Sequence, residues 1–314
     1  MYSFSPKNDF VDRGLVEECD PIDVIMPLYT ANSYFEANLK SIYRNIPVNN
    51  LFVGDAGADE VALSLLNTFP RVIVFDHKTI KSLGFSLRKL MEAVTTERFF
   101  YFHSDVYIPE NFYEMTMEEM GESDCLETFQ QLHVKFDIET TTKLAKRSYS
   151  GAQIFKTSSM QKVACMVDDD YLYRSEDIIF QYLLEEKNFT YKKAKKSFHV
   201  HQLMNKMGEN ARIVTGFSVN IEKTRQEETR EDFMYFMSFL KYCDRTKLSP
   251  DIVSSVVQCG QRLVSDGTLT PESLARILET NADKTWFNLM NELTEANEPD
   301  WWLKRLLKKI INKI

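Results

Sequence analysis

Glycine and proline are scarce, at ten and nine of 314 residues. That scarcity excludes a collagen-like repeat and a long Pro/Gly-rich disordered chain. The five cysteines, Cys19, Cys125, Cys165, Cys243 and Cys259, stand far apart with no C-x-x-C pair. Neither a zinc ribbon nor a disulfide framework is expected, and the thiols read as reduced in a cytosolic setting. No run approaches the roughly 20 apolar residues that span a bilayer. The opening "MYSFSPKNDFVDRG" lacks the basic-then-apolar order of a signal peptide. Positive charge is also in deficit. A net charge of −8 argues against general nucleic-acid binding.

What is present is a 44% hydrophobic, 12% aromatic chain, long enough for one large domain with an appendage or for two ordinary domains. From residue 22 the pattern alternates. "IDVIMPLY" reads as a strand, and "NSYFEANLKSIYRNI" as a helix capped by Asn32 or Ser33. "NNLFVGDAGADE", "RVIVFDH" and "RFFYFHSD" read as further strands, with "DEVALSLLNTF" and "SLGFSLRKLMEAV" as helices between them. Short apolar strands alternating with helices predict a mostly parallel sheet covered on both faces. Ligands of such sheets bind at the carboxyl ends of the strands, where Pro27, Asp55, Asp76 and Asp105 fall. Later, "SEDIIFQYLLEEKNF" predicts a helix behind Ser175, and "YKKAKKSFHVHQ" an edge strand. From about residue 224 the chain reads as helical, with Ser249-Pro250 and Thr270-Pro271 as helix starts. The expected organisation is a catalytic domain over 1–222, a helical appendage over 223–300 and a basic helix over 301–314.

The stretch "RFFYFHSDVYIP" poses the chemical question. A carboxylate at the tip of a buried aromatic strand costs solvation unless a cation waits there. Asp55, Asp105, the Glu176-Asp177 pair and His199/His201 punctuate strand ends or open a helix. Their order resembles glycosyltransferase family 2, inverting enzymes of the GT-A fold, over about residues 20–205. The resemblance implies an α/β GT-A nucleotide-diphospho-sugar transferase core with an all-α appendage. It implies that Pro27 and Tyr29 begin a nucleotide pocket, ahead of an L-x-S-I helix carrying Leu39, Ser41 and Ile42. Asp55 would face the base, uracil by family tendency. "HSD" stands where the family has D-x-D, so Asp105 keeps the metal-contacting position while His103 and Ser104 contact the donor. Asp177, with Glu176 before it, would be the base, and His201 or His199 would complete an Mn²⁺ or Mg²⁺ site.

Charge arguments run the same way. A nucleoside diphosphate leaving group concentrates negative charge that a hard dication neutralises. A carboxylate in the first turn of a helix is kept ionised by the dipole, as a base requires. Arg88 and the lysines 192, 193, 195 and 196 could contact the diphosphate, although the lysines equally suit a solvated edge. Asp55 could equally build its own turn. A nucleotidyltransferase would want a glycine-rich basic loop after the first strand, and "PLYTANSYFEAN" has neither glycine nor a basic residue.

The C-terminal "WWLKRLLKKIINKI" forms an amphipathic wheel. Trp302, Leu303, Leu306, Leu307, Ile310, Ile311 and Ile314 fill one half; Lys304, Arg305, Lys308, Lys309 and Lys313 fill the other, and Trp301 pairs with Trp302 at the start. Each basic residue near an anionic membrane adds about 1 kcal/mol of attraction. The expectation is a cytoplasmic protein, peripheral on the inner face of the membrane, acting on a lipid-linked or surface-glycan acceptor. Docking of that apolar half on the protein itself, or self-association through the C-terminal helices, is the alternative. A second reading of the whole chain is a catalytically degenerate GT-A domain serving as a membrane-tethered module.

Overall fold

The computed structural model describes residues 11–16, 20–31, 34–132, 148–201 and 225–270, with 272–274, 276, 277 and 286. The chain divides into two compact units, Met1–Asp169 with Leu184–Ile221, and Asp170–Leu183 with Glu222–Ile314. The expected cap Asn32 or Ser33 and the tail over 301–314, including Trp301, Trp302, Lys304, Arg305, Leu306, Lys308 and Lys309, lie outside the described residues.

The first unit is built on an eight-stranded sheet ordered β3-β2-β1-β4-β7-β6-β8-β5. Its strands are β1 (Ile22–Leu28), β2 (Val48–Asp55), β3 (Val72–Asp76), β4 (Arg98–Phe102), β5 (Val106–Tyr107), β6 (Cys125–Leu132), β7 (Ser148–Lys156) and β8 (Tyr191–His201). The helices are α1 (Arg13–Val16), α2 (Phe35–Asn45), α3 (Glu60–Leu66), α4 (Leu83–Ala93), α5 (Phe112–Met120) and α6 (Thr157–Ala164). The β1–β2, β1–β4 and β2–β3 ladders are parallel, whereas β7 runs antiparallel to both β4 and β6. This is the mixed α/β architecture of a GT-A core.

Alternation along the strands makes two apolar layers. Val24, Met26, Leu28, Val53, Phe100 and Phe102 join Leu39 and Ile42 of α2 and Phe112 of α5 in one cluster. The rings of Phe100 and Phe102 stack 5.2 Å apart. Ile25, Phe52, Phe99 and Phe155 lie on the opposite side of the same strands and are equally buried. Helix starts follow the sequence logic. Asp59 Oδ1 accepts from Ala62 N at 2.8 Å to cap α3, and Ser82 Oγ from Phe85 N at 3.2 Å to cap α4.

Two strands depart from expectation. β3 is the sheet edge rather than a buried strand, and its Ile73 and Val74 are 40% and 42% exposed. β8 is not a plain edge. It pairs with β6 along its length and with β5 at Val200 and His201. Its pairing with β6 jumps from Lys193 to Phe198 while β6 advances only from Glu127 to Phe129. The bulge so formed is held by Glu119, whose carboxylate accepts from Lys195 N, Lys196 N, Ser197 N and Ser197 Oγ.

The second unit contains α7 from Glu176 to Leu183 (the helix runs Glu176–Glu186), α8 (Arg225–Tyr242) and α9 (Pro250–Ser265). Asp232 on α8 takes a two-pronged bond from Arg262 on α9, at 2.7 and 2.8 Å. Trp286 is fully buried and its Nε1 donates to Cys243 O at 3.1 Å. Among the described residues no helix is long and apolar enough to cross a membrane.

Candidate functional site

The chain leaves β1 outward through β2 and β3, then returns to lay β4 on β1's other side. That reversal makes the carboxyl ends of β1 and β4 the natural crevice for a ligand. Pro27 sits there for a reason. Leu28 O accepts from Ala56 N beside β2, so positions 22, 24, 26 and 28 turn their peptide groups toward β2, and 23, 25 and 27 toward β4. The β1–β4 ladder ends at Ile25 and Tyr101, and Pro27, facing β4 without an N–H, cannot extend it.

One wall of the crevice is the turn after β2. Asp55 Oδ1 accepts from Gly57 N at 2.9 Å and Ala58 N at 2.8 Å, and Oδ2 stands 3.1 Å from Lys78 Nζ. Burial pushes the Asp55 carboxyl up, but those two amides and Lys78 outweigh it and hold the group below its ordinary range. Asp55 therefore builds its own turn. Gly57 has φ 129°, which suits glycine, and the ring of Tyr29 lies over it, 3.7 Å from where a Cβ would stand. Tyr29 is 68% exposed. An open aromatic ring thus lies against a carboxylate turn at the end of β1.

Behind that turn is a pair the sequence did not announce. His77 Nδ1 is 2.7 Å from Ser86 Oγ, and both side chains are buried. Burial lowers the His77 pKa, with Asp76 and Asp55 opposing. A Cβ on Gly54 would stand 2.5 Å from Nδ1, so the glycine leaves the space the imidazole fills.

The other wall is the His103–Asp105 turn. His103 N donates to Gly151 O at 2.9 Å, and its ring meets Tyr101 edge-on at 5.4 Å. Ser104 Oγ donates to Thr30 O at 3.3 Å, and Ser104 O accepts from Asn38 Nδ2 at 3.0 Å. Asp105 is partly exposed, and the next residue, Val106, pairs with His201. The register thus sets His201 beside the Asp105 turn. His199, two residues back, is fully buried with Nδ1 2.8 Å from Thr128 Oγ1, which itself donates to Ala152 O. An aspartate and a histidine position thus stand at adjoining strand tips, and carboxylate oxygen and imidazole nitrogen are donor types that Mn²⁺ accepts. Among the described residues no three His, Cys, Asp or Glu side chains cluster as a metal cage.

The remaining expected residues have the following surroundings. Arg88 bonds Glu92 Oε1 at 2.9 Å, Cys165 O at 3.2 Å and Val167 O at 2.9 Å, tying α4 to the turn after α6. Lys192, Lys193, Lys195 and Lys196 are exposed on the bulged part of β8. Glu176 and Asp177 belong to the second unit, whereas Asp55, Asp105, His199 and His201 belong to the first. Glu176 is buried, and Asp177 Oδ1 accepts from Ile178 N at 2.8 Å. Ser175 precedes them in the left-handed region at φ 61°, a strained choice for serine. His77 showed no ordered partner in the sequence, and the fold gives it Ser86. Lys78 and Asn38 went unread; for Asn38 the available signal was a polar stripe, Asn38, Ser41 and Asn45, on the buried face of an apolar helix.

The sequence matches no family model and no curated protein. Solved structures do resemble it. A mannosyltransferase from Pyrobaculum calidifontis in complex with GDP-Man and Mn²⁺ aligns over 96% of this chain and 91% of that one, at 12% identity and TM-score 0.51. Glucosyl-3-phosphoglycerate synthase from Mycobacterium tuberculosis in complex with Mn²⁺, UDP and phosphoglyceric acid aligns over 59% of this chain and 72% of that one, at 13% identity and TM-score 0.44. The bifunctional IspDF from Campylobacter jejuni aligns over 62% of this chain at 13% identity and TM-score 0.39, and the chain spans about half its length, 52%. At such identities the likeness concerns fold alone: the chain has a mixed α/β core of GT-A type, the fold it shares with the Pyrobaculum mannosyltransferase.

Proposed function

We propose that the protein is a metal-dependent inverting glycosyltransferase of family 2 type, moving a hexosyl group from a nucleotide-diphosphate donor, UDP-linked by preference, to an acceptor hydroxyl. The observation that carries this reading is the crevice at the ends of β1 and β4. There an exposed Tyr29 ring flanks the Asp55 turn on one side, and the Asp105 turn stands beside the His201 position on the other.

Tyr29 offers a face for a nucleobase, and the Asp55 turn limits how deep the base can go. Ser104 and His103 border the path from base to diphosphate. Asp105 with His201 would hold Mn²⁺ or Mg²⁺, which when bound supplies charge neutralisation to the leaving diphosphate. Asp177, at the positive end of α7, would accept the acceptor proton. As the acceptor oxygen bonds to the anomeric carbon, the bond from that carbon to the diphosphate oxygen breaks on the opposite face, inverting the configuration. The basic amphipathic tail supports an acceptor at an anionic membrane surface, a lipid-linked or surface glycan. The degenerate-module reading rests on His103 standing in place of an acid and on the helical appendage, and it predicts no turnover and no heat on titration with any nucleotide.

A screen of UDP- and GDP-sugars for hydrolysis and transfer by the purified chain, with and without EDTA, tests the reading. Donor turnover that EDTA abolishes is expected. No turnover, with no heat on titrating UDP or GDP in the presence of Mn²⁺, would overturn it.

A further inference from the structure

Three polar side chains on the buried face of α2 recur at i, i+3 and i+7, and all three reach the segment that carries Asp105. Asn38 Nδ2 donates to Ser104 O at 3.0 Å. Ile108 N donates to Ser41 Oγ at 2.9 Å, and Ser41 Oγ donates in turn to Asn38 O at 2.7 Å. Asn45 Nδ2 reaches Ile108 O and Ser41 O, both at 3.0 Å. Backbone groups at both ends of the Ser104–Ile108 stretch are therefore read by one helix. On its other side the same stretch is laddered to β8 through Val106–His201 and Tyr107–Val200.

We propose that Asn38, Ser41 and Asn45 form a positioning clamp that sets the Asp105 carboxylate against the His201 position. The clamp concerns how this chain holds its own turn; its effect on ligands rests on the donor-binding reading above. Stability alone is a poor account of it. Asn38 is fully buried, yet its Oδ1 meets no donor among the described residues, so the amide bears a desolvation cost that an apolar residue at the same place would avoid. What the amide does provide is a directional bond to one carbonyl, next to the residue whose placement matters. The α2–turn contact is made by side chains rather than by a backbone ladder. A turn of two or three residues has too few ladder bonds to hold an angle by itself, and outer groups that orient a ligating carboxylate commonly change metal affinity by about 10- to 100-fold.

The test uses the full chain with Asn38→Ala, Ser41→Ala, Ser41→Thr and, as reference, Asp105→Asn. Amide hydrogen exchange is followed over 103–108 and over β1 and β2, and Mn²⁺ is titrated in the presence of UDP and of GDP. Faster exchange confined to 103–108 is expected in Asn38→Ala and Ser41→Ala, with Mn²⁺–nucleotide affinity down about tenfold and recovery in Ser41→Thr. Exchange over 103–108 as slow as in the parent would overturn the clamp, whatever the ligand result. Faster exchange with unchanged Mn²⁺–nucleotide affinity would overturn its positioning role while leaving the donor reading intact. If the parent and Asp105→Asn alike bind no Mn²⁺–nucleotide, the donor reading fails, and local exchange alone decides the clamp. Should Asn38→Ala not fold, the Ser41→Ala and Ser41→Thr pair carries the same comparison.

Discussion

Gly54 and His77 share one space: a methyl on the glycine would lie 2.5 Å from the imidazole Nδ1 and 3.1 Å from the Ser86 hydroxyl it bonds. The glycine is in the middle of a parallel ladder, paired with Pro27 on one side and Phe75 on the other, so the backbone cannot shift away cheaply. Gly54→Ala should destabilise the protein by about 1–3 kcal/mol through overpacking. Most of that loss should disappear in the His77→Ala background, as measured by denaturant unfolding of the double-mutant cycle.

The same imidazole makes stability depend on pH. Burial keeps His77 neutral in the fold, with its pKa below the ordinary value near 6.5, while the unfolded chain titrates at about that value. The unfolded state therefore binds the extra proton first, and stability falls as pH drops below about 6.5. His77→Asn, whose amide can still bond Ser86, should flatten this part of the profile. Unfolding midpoints at about pH 7.5 and about pH 5.5, compared between parent and variant, check the difference. An identical loss in both would leave His77 without a role in it.

Glu119 holds the bulge of β8 by accepting from three backbone amides and one hydroxyl. Its pKa is pushed up by burial and pulled lower by the Ser197 hydroxyl and amide and the amides of Lys195 and Lys196, with a net fall. That stabilisation is present above the ordinary glutamate value and fades as pH falls through the lowered one. Glu119→Gln should cost about 1–3 kcal/mol at neutral pH, because the amide offers one acceptor where the carboxylate offered two. Because β8 ends at His201, the variant should also weaken Mn²⁺–nucleotide binding, read by titration.

Asp105 is partly exposed at its turn. Asp105→Asn should leave the unfolding free energy within about 0.5 kcal/mol of the parent and abolish EDTA-sensitive donor turnover. His199→Ala should do the reverse. Losing a buried ring bonded to Thr128 should lower stability by about 1–3 kcal/mol.

Asp177 carries the base role in the enzyme reading. Asp177→Asn should retain donor binding and lose transfer, with turnover falling by about 100-fold or more. Calorimetric titration with donor nucleotide, beside a transfer assay, checks both halves. Unimpaired transfer in the variant would remove Asp177 from the base role.

Local chemistry made much of this fold readable from the residue string. Apolar runs such as "IDVIMPL" and "RFFYF" could be recognised as strands because burial on both faces leaves nothing else for them to do. Caps such as Asp59 and Ser82 act within a few residues and were equally open to reading. Strand ends carrying Asp55 and Asp105 followed from the same alternation. Partner choice was hidden, because it depends on which elements lie side by side. Nothing in the order of residues says that β3 is an edge, that Lys78 stands against Asp55, or that Arg88 ties down the turn after α6. Nor does it say that sheet register puts Thr128 beside His199 and the Asp105 turn beside the His201 position, two positions on one face of one strand. Periodicity and capping are properties of a dozen consecutive residues. Register, edges and side-chain partnerships across tens of residues arise only when the sheet closes, and they decide what each polar residue does.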